Sequence, residues 1–317
     1  MEKRKLGKTN IFVTPVGLGV LTIGRNQLNL PLDEGASIIT YALEKGINFL
    51  DTAEYYETYD YIAKALKCSN MEPIVASKSL KHSYDGMYTA VEEYRKKLDR
   101  DVVDIFLLHE VRSEADFNSR AKAWECLNDL KAKGIVKAIG ISTHHTDVTE
   151  LNAILPESDI IFPLINKDSL GIRCGSVQGS KDVMAAAIKA NADKEKGVFS
   201  MKVFGGGNLT GSYLEALDYV YNLPGITSIM IGMGKHEEID NIVDYIDGKL
   251  EKNFIPDISD KKIRIEIGDC EGCGECVKRC PNSAVSLELG LAVIDYDVCL
   301  NCGYCAPSCP VRAIIMY

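Results

Sequence analysis

The 317-residue chain has no uninterrupted apolar run of the roughly 18 residues that a membrane-spanning helix needs. No apolar stretch follows its basic start, Met1-Glu2-Lys3-Arg4-Lys5-Leu6-Gly7, so no export signal is expected. It has no excess of positive charge: 36 Lys and Arg against 45 Asp and Glu leave a formal net charge of −9, which argues against nucleic acid as a partner. A glycine-rich phosphate fingerprint after the first strand is also missing. Gly17-Leu18-Gly19 lacks the third glycine expected of a doubly wound dinucleotide fold. What remains, 46% hydrophobic and 26% charged, is an ordinary soluble composition long enough for one large domain and one small one.

The first part of the chain alternates short apolar runs with amphipathic stretches. Strands are expected near residues 16–19 and over 47–50, 74–77, 103–109, 136–142, 160–165, 198–203 and 226–231. Helices are expected over 33–45, 59–66, 86–98, 120–133, 181–191 and 213–221. The strand runs are mostly apolar rather than alternating, as strands buried on both faces should be. Eight strands with interleaved helices give an α/β fold of the (β/α)8 barrel class, with an open doubly wound sheet as the alternative. The domain boundary is expected at 255/256, with the barrel over 1–255 and a small α+β domain over 256–317.

In such a barrel the chemistry gathers where strands end. Those ends carry Asp51, Lys78 and His109, with Tyr56 five residues beyond Asp51. The four types suit proton delivery to a carbonyl oxygen. Tyr56 would be the general acid. Lys78 would favour the phenolate and so lower the phenol's pKa, Asp51 would hold the lysine, and His109 would orient the carbonyl. Singly, each has a plainer reading: a loop aromatic among Tyr55, Tyr59 and Tyr61, a rim lysine, a satisfied strand-end histidine. Together, on successive strand ends, they make a constellation.

These residues resemble the aldo-keto reductase family. The similar stretches are Asn48-Phe49-Leu50-Asp51-Thr52-Ala53-Glu54-Tyr55-Tyr56, Val75-Ala76-Ser77-Lys78, Asp104-Ile105-Phe106-Leu107-Leu108-His109 and Ala138-Ile139-Gly140-Ile141-Ser142. The resemblance runs from about residue 4 to 245. It implies a barrel entered by an N-terminal β-hairpin over 3–13, and NADPH-dependent carbonyl reduction with Tyr56 as the acid, with NADH the alternative that the departures in the cofactor pocket leave open. It places nicotinamide contacts at Ser142 and Asn166, although Thr143 follows Ser142, Phe162 stands for a glutamine and Met201 for a stacking aromatic. It places the 2′-phosphate grip near Glu238, where a carboxylate disfavours a phosphate and Lys235 would compensate. The glycines of Val203-Phe204-Gly205-Gly206-Gly207-Asn208 would let backbone approach a phosphate of NADPH, NADH or a flavin alike, or form a flexible loop.

Eight of the eleven cysteines fall in two copies of one spacing: Cys270, Cys273, Cys276, Cys280-Pro281, and Cys299, Cys302, Cys305, Cys309-Pro310. Disulfides would need an oxidising compartment. Structural zinc usually takes two separated pairs rather than a triple with a trailing Cys-Pro. The run resembles that of bacterial two-cluster ferredoxins, which implies two 4Fe-4S clusters with the fourth cysteine of each run crossing to the other cluster. One set is then Cys270, Cys273, Cys276 and Cys309, the other Cys299, Cys302, Cys305 and Cys280. Cys68, Cys126 and Cys174 read as small buried hydrophobes. Cluster chemistry points to a reducing cytoplasm in an oxygen-poor organism.

Three functions follow: an NAD(P)H-linked reductase of a small carbonyl substrate; a reductase whose electrons arrive through the clusters from an electron-transfer protein or flavin partner; and an electron carrier on an inactive barrel. Nicotinamide moves a hydride, whereas clusters move electrons singly. That mismatch separates the first two.

Overall fold

Eight parallel strands close into a ring in a computed structural model that describes residues 1–69, 71–300 and 302–317. They are β1 (Val16–Gly19), β2 (Phe49–Asp51), β3 (Ile74–Ser79), β4 (Val103–Leu108), β5 (Val136–Thr143), β6 (Ile160–Pro163), β7 (Gly197–Ser200) and β8 (Ser228–Gly232). β8 pairs with β1 through Ile229↔Val16, which closes the barrel. Helices α1 (Leu32–Glu44), α2 (Tyr59–Cys68), α3 (Tyr84–Leu98), α4 (Ala121–Ala132), α5 (Thr146–Ile154), α6 (Lys181–Asp193), α7 (Tyr213–Tyr221) and α8 (His236–Ile246) alternate with the strands.

Strand period explains why mostly apolar runs were needed. Phe49, Ala76, Ile105, Leu107, Ala138 and Phe199 point into the barrel and form one core. Their neighbours Leu50, Val75, Phe106, Leu108 and Ile139 point outward and pack under the helices. The N-terminal hairpin, Arg4–Lys5 against Phe12–Val13, puts Leu6, Ile11 and Val13 into the inner core and plugs one end.

α5 was not expected from the sequence because the face it buries is mostly polar: Thr146, Thr149 and Asn152 beside Val148. Asn152 donates to Asn191 Oδ1 (2.8 Å) and accepts from Ser158 Oγ (2.7 Å), so hydrogen bonds replace apolar packing there.

The chain then forms a second, smaller core. β9 (Ile263–Ile265) pairs antiparallel with β12 (Ile314–Met316), and β10 (Val285–Glu288) with β11 (Leu291–Ile294). Ile263, Ile265, Val285, Ile294 and Ile314 pack there with Cys276, Cys305 and Cys309. Among the described residues no helix is long and apolar enough to cross a membrane.

Candidate active site

The strand ends bring Asp51, Lys78 and His109 together, and a short 3-10 turn, Glu54–Tyr56, swings Tyr56 over them. Lys78 is only 1% exposed, and its Nζ donates to Asp51 Oδ1 (2.7 Å) and to the carbonyl of Thr52 (2.8 Å). The same ammonium lies 4.8 Å from the Tyr56 ring centroid and 5.2 Å from that of Phe162. The Tyr56 hydroxyl is 3.5 Å from His109 Nε2, too long for a firm hydrogen bond. His109 Nδ1 is buried without a protein partner.

Burial sets the protonation states. It pulls Lys78 down and pushes Asp51 up, while their contact and the Thr52 carbonyl hold the charged pair. Burial, then the Lys78 charge, pushes His109 well below the usual histidine range, so its ring is neutral. The expectation that Lys78 lowers the Tyr56 pKa is not met. Burial first, and then the negative charges of Asp51, Glu110, Glu266 and Asp269, raise it well above 10.

The groups expected to grip a nucleotide are taken up by the chain itself. Ser142 Oγ accepts the Glu110 N–H (2.9 Å). Asn166 donates to the Leu170 carbonyl and accepts the Leu170 N–H, both at 2.8 Å. Gly205 donates its N–H to the Lys202 carbonyl (2.7 Å). The Gly206 carbonyl accepts the Met316 N–H (2.7 Å), and a Cβ on Gly207 would lie 2.2 Å from the Met316 carbonyl oxygen. Lys235 pairs with Asp260 (2.8 Å). Glu238 accepts the Gly234 N–H (2.7 Å) and pairs with Lys261. β12 and the segment leading to β9 thus cover the residues expected to contact a nucleotide at 206, 207, 235 and 238.

Indeed the C-terminal domain rests on the barrel mouth. Arg112 Nη2 donates to the Gly268 carbonyl (3.0 Å), Lys202 pairs with Asp269 (3.0 Å), and Arg173 pairs with Glu271 (2.8 Å). His144 Nδ1 lies 3.9 Å from Asp269 Oδ1. Burial lowers the His144 pKa to about 3, so that contact is made by a neutral ring. Burial works against the Asp269 charge, yet the Lys202 and Arg112 cations hold it below the ordinary carboxylate range. Glu110, His144 and Asp269 converge within 4.8 Å, but Arg112 and Lys202 already balance the two carboxylates. Sequence reasoning missed Arg112, His144 and Lys202. Their position just past β4, β5 and β7 was the available signal.

The cysteines fall into the two expected sets. Cys270, Cys273, Cys276 and Cys309 line one cavity, and Cys280, Cys299, Cys302 and Cys305 line another. Among the described residues no three sulfurs lie within 4.8 Å of one another. A single tetrahedral zinc with bonds of about 2.3 Å would hold them at roughly 3.8 Å, so the wider spacing suits a multinuclear cluster better. The two crossing cysteines are alike in their surroundings: Ala284 N–H donates to Cys280 Sγ (3.2 Å) and Ala313 N–H to Cys309 Sγ (3.3 Å). Cys126 is buried, whereas Cys68 and Cys174 are exposed and depart from the expectation.

Comparison with known proteins adds to this geometry. The model of the aldo/keto reductase family matches residues 15–216, and that of the 4Fe-4S binding domain matches residues 292–315. The uncharacterized oxidoreductase YqkF of Bacillus subtilis is 28% identical over 163 residues, covering 47% of this chain and 51% of that protein. The 2,5-diketo-D-gluconic acid reductase B of a Corynebacterium species is 30% identical over 153 residues, covering 46% and 53%. The chain thus spans about half the length of the curated relatives it matches. The structure of aldo-keto reductase AKR11C1 from Bacillus halodurans, in its holo form, superposes with a TM-score of 0.61 at 19% identity, covering 81% of this chain and 98% of that one.

Proposed function

The chain belongs to the aldo/keto reductase family and is an oxidoreductase with a 4Fe-4S domain, and we propose that it reduces a small carbonyl compound at the barrel mouth with electrons taken from that domain. The observation that carries this reading is the engagement of Gly206 and Gly207 by Ile315 and Met316. That contact supports a reading in which the C-terminal domain, rather than a nucleotide, supplies the electrons.

Reduction of a carbonyl to an alcohol takes two electrons and two protons. Clusters held by the two cysteine sets would supply electrons singly, and two of them match the two that are needed. Tyr56 gives one proton to the carbonyl oxygen, and water at the mouth gives the other and restores the phenol. The raised pKa keeps that phenol protonated at neutral pH. Lys78 faces the Tyr56 ring and stabilises the phenolate as it forms. Asp51 and the Thr52 carbonyl fix the lysine. Neutral His109 orients the carbonyl oxygen beside the Tyr56 hydroxyl.

The intact set of Tyr56, Lys78, Asp51 and His109 also favours a second reading, hydride transfer from NAD(P)H after the C-terminal domain moves aside. Anaerobic assays with small aldehydes decide between them. Turnover with a reduced viologen and none with NADPH or NADH is the expected result. Turnover with a nucleotide alone would establish the second reading.

A further inference from the structure

The C-terminal domain is built twice over. Each position of its first cysteine run recurs 29 residues later, Cys270 as Cys299 and Cys280 as Cys309. The first copy docks on the barrel through Gly268, Asp269 and Glu271, which meet Arg112, Lys202 and Arg173. The equivalent positions of the second copy are Asp297, Val298 and Leu300. They face solvent, together with Tyr296 and Tyr304: Tyr296 is 57%, Leu300 69% and Tyr304 60% exposed.

The two copies also differ in cover. A Cβ on Gly272 would lie 1.9 Å from the Gly290 carbonyl oxygen, so the hairpin of β10 and β11 roofs the first run. Around Gly303, in the second run, nothing among the described residues lies within 4 Å of such a Cβ. Leu300 lines the cavity of Cys280, Cys299, Cys302 and Cys305 while remaining open to solvent. The open face therefore pairs apolar side chains with direct access to one cysteine set. Exposed Asp295 and Asp297 flank it.

We propose that this face, Tyr296, Val298, Leu300 and Tyr304, docks a one-electron carrier protein that has an apolar contact centre and a basic rim. The barrel is the template for that partner. It meets the first copy with three cations, and the second copy keeps acidic residues at its edge for a similar meeting. Apolar centres with charged rims are how transient redox contacts combine speed with specificity. The inference rests on the proposed function, in which no nucleotide delivers electrons. A cluster held by the second cysteine set would take one electron from the carrier at each encounter, and two encounters would supply the two electrons that one carbonyl reduction takes.

Binding of oxidised cytochrome c, used as a basic one-electron probe, tests the surface by calorimetric titration of the iron-loaded full chain at low ionic strength. The double variant Tyr296→Lys/Tyr304→Lys should weaken binding by about tenfold or more, with iron content and visible spectrum retained. Leu289→Lys, at the exposed tip of the β10–β11 hairpin, should leave binding within about twofold. Wild-type affinity in the double variant, an equal loss in Leu289→Lys, or no binding by the wild-type chain would overturn the proposal. So would self-association of the wild type that the double variant abolishes, since a second copy would then be the occupant. Carbonyl turnover by chemically reduced protein is measured on the same samples. Its absence removes the reading of the barrel site and leaves the binding result standing; its presence with failed binding does the reverse.

Discussion

Replacing Lys78 with Met should cost the barrel about 4 kcal/mol at pH 7 and much less at pH 5. Methionine keeps most of the volume, so packing changes little. What goes is the ammonium that donates to Asp51 Oδ1 and the Thr52 carbonyl. Asp51 is 6% exposed and would be left as a buried carboxylate without its cation. It can avoid that state only by binding a proton. Holding a carboxyl protonated costs about 1.4 kcal/mol for each pH unit above its ordinary pKa of about 3.9, hence roughly 4 kcal/mol at pH 7 and about 1.5 at pH 5. The sign follows from linkage. In the variant the folded pKa of Asp51 is raised above the unfolded one, so the folded state holds the extra proton between them and loses stability as pH rises through that window. Urea unfolding of variant and wild type at the two pH values, followed by far-ultraviolet circular dichroism, measures the difference. A loss under about 1 kcal/mol at pH 7, or the same loss at both values, would refute the buried-pair account.

Tyr56→Phe should lower carbonyl reduction on the order of 100- to 10,000-fold with folding and iron content unchanged, as single-turnover rates and metal analysis would show. The wild-type-minus-Tyr56→Phe ultraviolet titration should show no phenolate below pH 10, because burial and nearby carboxylates raise this phenol; the protonated acid is lost only as pH rises through that raised value. Gly207→Ala puts a Cβ against the Met316 carbonyl at a backbone φ of 84°, so the Met316 amide should exchange faster in hydrogen-exchange measurements, with a cost of about 1–3 kcal/mol. Anaerobically reconstituted protein should carry about eight irons per chain by metal analysis, and a reproducible value near four would contradict two clusters.

The parts of the fold that were legible share one property: their signal is local. Apolar strands, such as Ile160–Pro163, announced a buried parallel barrel, and the cysteine spacing announced the two sets that line the two cavities. Asp51, Lys78, Tyr56 and His109 were legible because strand ends are where a barrel gathers its chemistry. The glycine loop was open to misreading. Gly205 to Gly207 promised a close backbone approach, and the structure shows one made by β12. Nothing near residue 206 in the sequence names residue 316 as its partner. The same distance hid the ion pairs of Lys202 with Asp269 and of Arg173 with Glu271. The pKa of Tyr56 went the other way from the expectation because that expectation counted one cation and left out burial and carboxylates from a domain distant in sequence.

Product counting in a single turnover tests most directly whether the C-terminal domain feeds the barrel. Iron-loaded protein is reduced chemically, freed of reductant and mixed anaerobically with excess aldehyde in the absence of any nucleotide. Electron delivery from two clusters predicts up to about one alcohol per chain, formed as the visible spectrum returns to its oxidised form. Clusters that stay reduced beside unreacted aldehyde, with alcohol appearing only when NADPH or NADH is added, would contradict it.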